Sequence, residues 1–412
     1  MIPISKDLRC DVAKPLKASE LPRVSIIILN WNGHHHLDGC FESLAKLEYD
    51  KELLDVVLVD NGSDDGSQAL MARNHPHVRL IQNRRNEGFA GGCNVGVANA
   101  DNPDILVFLN NDLRVEPDFL KELVAPIVRK EAHATGGLML NWDGERIDSA
   151  GGGMNLHGIG IQRGYKRKFG PAYDQPRWTL FACGGAMAID AKVYRELGGF
   201  DNRFFAYYED VDLGWRSWVQ GYSTQYVPSA KCYHHHSSTS RRVPPERLRL
   251  LQVRNPLFTC AKNYDDANFA KVFPTMLALA SRRAFMSSGL GEMEQYRIEN
   301  MTSLPKVNRW QDFRRKLRKA SQAREKVSKI AAADWIAIND LIGDWRHWMA
   351  LRADLQSKRK RPDSEILRLF LKPHWCVEDD PAYQMLQEGL TGMYDLDALF
   401  EGMPTLEEEP KP

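Results

Sequence analysis

The sequence has no long apolar run. No stretch approaches the roughly 18 residues that a helix needs to span a bilayer, and the opening MIPISKDLRCDVAK lacks an apolar signal core. The seven cysteines are scattered, odd in number and never spaced as CxxC. That excludes a zinc knuckle and a disulfide framework, and it leads us to expect a reducing, cytoplasmic setting. Charge of one sign is also missing: 55 Lys/Arg face 54 Asp/Glu. The chain as a whole therefore has no polybasic character, and nucleic acid is not an expected partner.

The near-neutral total hides segregation. From Lys306 to Arg361 there are 16 Lys/Arg against 6 Asp/Glu, and from Pro362 onward there are 12 acids against 3 bases. Such blocks screen each other within a molecule or across a homo-oligomer, or they offer a basic face to an anionic membrane surface. With 412 residues and 43% hydrophobic content, the chain can bury a core and accommodate two regions.

Short apolar runs alternate with helical patterns through the first half. Val24–Leu29, Val56–Val59, Val78–Gln82 and Ile105–Leu109 read as strands. Leu37–Leu47, a segment beginning at Ser67 and Gly92–Ala100 read as helices. Continuous apolar strands in β/α alternation predict an α/β fold, with a mainly parallel sheet flanked by helices. Cys183–Asp190 and Ser223–Val227 read as later strands, the second followed by a Pro-containing turn. After Gln252 the pattern turns helical. Two amphipathic stripes follow, one from Trp310 to Ile330 and one from Trp335 to Trp348. The expected division is a polar lead-in at 1–22, a catalytic α/β domain at 23–255 and an all-helical appendage at 256–412. The appendage is expected to serve placement and assembly, not chemistry.

Ligands of such sheets bind beyond the carboxyl ends of the strands. Asp60 closes one strand and opens Asp60-Asn61-Gly62-Ser63. This is a turn and a helix cap by composition, although a carboxylate there can also accept the N3–H of a pyrimidine. Asn110-Asn111-Asp112 closes another strand and offers oxygen ligands to a hard divalent ion. Phe204 to Arg216 sets Glu209, Asp210 and Asp212 among aromatics, more acids than a helix cap needs. Two histidine runs complete the inventory. His34-His35-His36 reads as polar surface, and His234-His235-His236 follows a strand.

The order and number of these motifs resemble family 2 glycosyltransferases, in particular the rhamnosyltransferase-like branch. The resemblance rests on VSIIILNWNG, VLVDNGSDDGS, NRRNEGFAGGCNVG, FLNNDLRVEP, GGAMAI, LGGFDNRFFAYYEDVDLGWR and the second histidine run, over about residues 22–255. It implies a GT-A fold and inverting transfer from a nucleoside diphosphate sugar with Mg²⁺ or Mn²⁺. Asp210 matches the catalytic base, with Glu209 beside it to orient the acceptor. Asp60, Asn30, Asn86, Gly88, Asn94 and Asn111 fall in the donor-facing stretches. Asp112 matches the last acid of the metal-binding DxD, whose first position is Asn110 here, and His234 best matches the histidine that completes the metal site. Rhamnose from dTDP-rhamnose is the first expected donor, and the acceptor is a bacterial glycan or lipid-linked glycan. Two rival classes are a sugar nucleotidyltransferase, which would want a Gly-rich, basic phosphate loop after the first strand, and a non-catalytic sugar-binding protein. Sugar-nucleotide hydrolysis without acceptor discriminates them.

Overall fold

A computed structural model of the chain describes residues 2–5, 7–235, 243–289 and 327–403. Its centre is a ten-stranded sheet in the order β10 (Arg177–Trp178), β12 (Thr224–His234), β6 (Ala134–Asn141), β11 (Ala186–Asp190), β4 (Ile105–Asn110), β1 (Val24–Asn30), β2 (Leu54–Asp60), β3 (Arg79–Gln82), with β5 (Leu113–Val115) paired to β12 and β7 (Ile147–Ser149) to β6. β1 (Val24–Asn30), β2 (Leu54–Asp60), β3 (Arg79–Gln82) and β4 (Ile105–Asn110) run parallel. The central residues of β1, β2 and β4 are buried on both faces, which is why they read as unbroken apolar runs, while β3 at the sheet edge is only half-buried. α1 (His34–Leu44) and α4 (Phe119–Val128) cover one face, while α3 (Gly88–Ala98) and α5 (Ala191–Glu196) cover the other. α2 (Ser67–Asn74) packs beside α1.

Beyond β4 the sheet turns mixed. β11 (Ala186–Asp190) lies antiparallel to both β4 and β6 (Ala134–Asn141). β12 (Thr224–His234) lies parallel to β6 and antiparallel to β5 (Leu113–Val115). The expected strand end at Val227 is corrected. Pro228 falls inside an irregularity between Val227 and Lys231, after which the strand resumes and runs to His234. A bulge tolerates a residue that cannot donate to the ladder, so proline here bends the strand without ending it. The short β7 (Ile147–Ser149) pairs with β6, and β8 (Gly152–Met154) pairs with β9 (Gly160–Gln162) as a separate hairpin.

The C-terminal region is helical. α7 (Pro245–Asn263) leads into α8 (Asp266–Ser288), and further helices span Lys329–Gly343, Trp345–Ser357 and Pro381–Met393. The 255/256 division falls inside α7. One core cluster also joins Met154, Phe181, Phe204, Trp215 and Trp218 to Phe258, Tyr264, Trp348 and Phe370, so these helices share a core with the segment after β6. The second amphipathic stripe splits. Ile338, Leu341 and Trp348 are buried, whereas Trp335 and Trp345 are partly exposed. The first stripe lies mostly outside the described residues. No helix among the described residues is long and apolar enough to cross a membrane.

α7 is locked to α6 (Glu209–Val219) by a buried charge network. The Lys262 ammonium lies 2.9 Å from both Asp201 and Asp212, and Arg216 lies 2.7 Å from Asp212. Asn263 donates to the same Asp212 carboxylate. Removing one partner of such a network strands the others in a low-dielectric interior. Lys262→Ala should therefore lower the unfolding free energy by about 3 kcal/mol or more. Lys329→Ala, which breaks the exposed, solvent-screened pair with Glu246, should leave it close to the parent value. Urea denaturation of both variants tests the contrast, and equal small effects would show that the network carries no stability.

Candidate active site

Three strand ends meet in a polar chain. Asn30, fully buried at the end of β1, donates through Nδ2 to Asp60 at 3.0 Å and accepts from Asn111 Nδ2 at 2.7 Å. Asp60 also accepts from the Ser63 amide and from Gln68 Nε2. Gly33 is required here: a Cβ would sit 2.2 Å from Asn111 Nδ2 and 2.6 Å from Asn30 Oδ1. Asp60 is 1% exposed and both its oxygens are engaged. As it stands, the carboxylate holds the β1–β2 ends and the following turn and offers no open face.

The stretch after β3 is organised from within. Asn61 accepts from Asn83 and from the Glu87 amide, and it donates to Asn86 and to the Gly88 carbonyl. Gly88 has φ +76°, and a Cβ there would meet the Phe205 carbonyl at 2.3 Å. Asn94, expected to face the donor, is engaged within the protein. Its amide binds the Phe200 carbonyl and Asn202, and its oxygen accepts from Tyr194 and from the Phe200 amide. It fixes the loop that leads to the acid cluster.

Asp112 and His234 do converge. β5 follows Asp112 directly and pairs Leu113 with His234. His234 Nε2 lies 3.2 Å from Asp112 Oδ1, and its Nδ1 lies 3.1 Å from Asp148 Oδ2. Burial alone would lower the imidazole's pKa. Hydrogen bonds to Asp112 and Asp148, with their charges, outweigh it and raise the value to about 9. His235 stacks on Trp142 at 3.6 Å, and its ring lies 5.1 Å from His36. The first histidine run therefore reaches the site and is not merely surface. His236 lies outside the described residues. Asp148 was missed by sequence reasoning. It sits in a Gly-rich, irregular stretch, and only the pairing of β6 with both β7 and β12 brings it to His234.

The acid cluster starts α6. Asp210 accepts from the Gly184 amide at 2.9 Å and from the Val211 amide at 2.8 Å. Gly185 in turn accepts from the Asn110 amide. One amide-to-carboxylate bond and one backbone bond thus tie Asp210 to the strand end that carries Asp112. Glu209 is buried, and its Oε2 has no hydrogen-bond partner among the described residues. Burial raises both carboxyls above their ordinary values. For Glu209 the neighbouring Asp210 charge adds to the rise, and for Asp210 the Gly184 and Val211 amides oppose it. The preceding loop is strained: Phe205, Tyr207 and Tyr208 all have positive φ. Asn255 of α7 holds it, its amide lying within 3.0 Å of the Phe204, Ala206 and Tyr207 carbonyls. Asn255 is the last residue of the expected catalytic domain, and its helix continues into the C-terminal helical region.

A carboxyl whose folded pKa is raised favours the folded state while it stays protonated, and it costs stability as pH rises through the unfolded and then the folded value. Glu209→Gln cannot ionise. It should gain stability relative to the parent as pH rises from 4 toward 8, in thermal melts across that range. A constant difference between the two would mean that Glu209 carries no raised pKa.

With the geometry in place, comparison with known proteins gives a consistent result. Residues 25–198 match the family described as Glycosyl transferase family 2. The N-acetylglucosaminyl-diphospho-decaprenol L-rhamnosyltransferase of Mycobacterium tuberculosis is 28% identical over 249 residues, which cover 54% of this chain and 79% of that protein. The O-antigen biosynthesis protein RfbC of Myxococcus xanthus is 28% identical over 229 residues, 53% of this chain and 18% of that one. Among solved structures, GalNAc-T7 with UDP, GalNAc and Mn²⁺ superposes with a TM-score of 0.50 at 17% identity, over 79% of this chain and 58% of that chain. That likeness concerns the fold, which is of the GT-A type. The chain carries a glycosyltransferase family 2 region over residues 25–198 and is a glycosyltransferase.

Proposed function

We propose that the enzyme transfers a sugar, with inversion, from a nucleoside diphosphate sugar to a hydroxyl of a glycan or lipid-linked glycan in bacterial surface polysaccharide synthesis. The observation that carries the reading is the tie between the two halves of the site. Asp210 hangs on the Gly184 amide while Gly185 binds Asn110, two residues before Asp112. A proton acceptor and a diphosphate-side group are thereby fixed to one strand pair.

The residues fit a divalent ion. One carboxylate oxygen and one imidazole nitrogen stand 3.2 Å apart, a separation that an ion with bonds of about 2.1 Å would bridge. Among the described residues there is no set of three such groups that closes a cage, so the remaining positions suit water and diphosphate oxygens, as Mg²⁺ or Mn²⁺ requires. When bound, the ion would neutralise the diphosphate leaving group. Asp112 and His234 would hold it, with the imidazole giving up its proton on binding. Asn111 and Asn30 fix the backbone that presents Asp112, and Asn86 and Gly88 line the donor side.

Asp210 supplies the base. Its carboxylate accepts the acceptor hydroxyl proton while that oxygen forms the new bond to the anomeric carbon and the bond from that carbon to the diphosphate breaks. Attack from the face opposite the leaving group inverts the centre, and no carboxylate nucleophile is needed. The raised carboxyl pKa makes Asp210 a stronger base than an exposed aspartate. It also moves the acid limb of the rate profile upward. Glu209, behind it, orients the acceptor. The mycobacterial relative's name supports rhamnose as the donor sugar, with dTDP-rhamnose as the first candidate. Peripheral contact with a membrane and self-association belong to the same proposal.

Asp210→Asn should reduce turnover by about 10² or more while leaving donor binding close to the parent. Near-normal turnover would move the base to Glu209. Asp112→Ala and His234→Ala should each weaken donor binding in Mn²⁺ but not in EDTA, measured by calorimetry with dTDP-rhamnose and UDP-sugars. Parent binding of equal strength in Mn²⁺ and EDTA would remove the metal from the mechanism.

A further inference from the structure

We propose that Asp148 is a positioning residue that aims His234 at the metal position. The inference rests on the metal site proposed above and adds a residue that none of the sequence motifs contains. In the β6–β7 pairing, Met139 faces Ser149 and Leu140 faces Ile147, so Asp148 is the extra residue of a bulge. A bulge turns out of the alternation a side chain that a regular strand would point elsewhere. On its other edge β6 pairs Asn141 with His234, and so the strand carries the bulge on one side and the histidine on the other. The Asp148 carboxylate, about nine-tenths buried, lies 3.1 Å from Nδ1 of His234 and leaves Nε2 facing Asp112.

A carboxylate that accepts the Nδ1–H fixes the ring plane and puts the lone pair of the deprotonated ring on Nε2. That is the nitrogen the Asp112 side needs. The effect matters more here than in a site with two aspartates, because Asn110 stands where the resemblance expects the first acid. With one carboxylate fewer in direct reach, the affinity depends more on the orientation and basicity of the single imidazole. Asp148 acts through His234 and does not itself touch the ion.

The test uses the full-length chain. Mn²⁺ is titrated in the presence of dTDP and followed by the electron paramagnetic resonance signal of free Mn²⁺, for the parent, Asp148→Ala and Asp148→Asn. The asparagine carbonyl can still accept the Nδ1–H, so Asp148→Asn should bind Mn²⁺ close to the parent. Asp148→Ala should bind it about 10- to 100-fold more weakly. Raising Mn²⁺ should restore the turnover of Asp148→Ala, which a merely misfolded site would not do. Unchanged binding in Asp148→Ala, or an equal loss in Asp148→Asn, would overturn the positioning role alone. A parent that binds no Mn²⁺ would overturn the metal site and this inference together.

Discussion

A polar side chain at the carboxyl end of a central strand cannot reach water and cannot go unpaired. Asn30 meets that constraint with both ends of its amide, giving to Asp60 and taking from Asn111. An unsatisfied buried amide costs about 1–3 kcal/mol, so the three groups select one arrangement of the β1, β2 and β4 ends. The sheet-end half of the site hangs from that arrangement: the turn after β2, the Asn61-centred loop, and the backbone that turns Asp112 toward β12. Gly33 is part of the same constraint, because only a residue without Cβ lets the chain pass the Asn30–Asn111 contact.

The other half of the site is held from outside the sheet. Three positive-φ residues in the 205–208 loop would each cost about 1–3 kcal/mol in isolation, and nothing in the sheet provides for that. Asn255 gathers three of the loop's carbonyls, Arg254 takes the Arg203 carbonyl, and Gly160 donates its amide to the Tyr208 hydroxyl. The pair Arg254-Asn255 is thus a clamp for the start of α6. This explains why the helical region shares a core with the residues after β6 and does not dock as a separate body on a finished domain.

The parallel strands and their terminal acids were legible because both follow local rules. Apolar runs of strand length stop at Asx-rich turns, and the acids sit where those runs stop. What stayed illegible depended on pairing between distant segments. Pro228 looked like a strand end, since proline denies a ladder bond, but a bulge absorbed it. The resemblance alone places Asn94 in a donor-facing stretch, and its bonds to Tyr194, Phe200 and Asn202 carry no local sequence signal. Asp148 carried no local signal, because its meaning comes from β6 having two different neighbours. Asn255 closes the expected catalytic domain, in a helix whose role is set by the carbonyls of another segment.

The three acids at the start of α6 show how the fold separates structural charge from reactive charge. Asp212 is fully buried and surrounded by Arg216, Lys262 and Asn263. A nearby cation favours the charged form of a carboxylate and weakens it as a base. By drawing both cations to the Asp212 side of the helix, the network leaves Asp210 with backbone amides alone as its hydrogen-bond donors among the described residues. Desolvation then governs Asp210 and keeps its carboxyl above the ordinary aspartate range. The ion pairs that hold α7 in place thus also keep positive charge away from the proposed base.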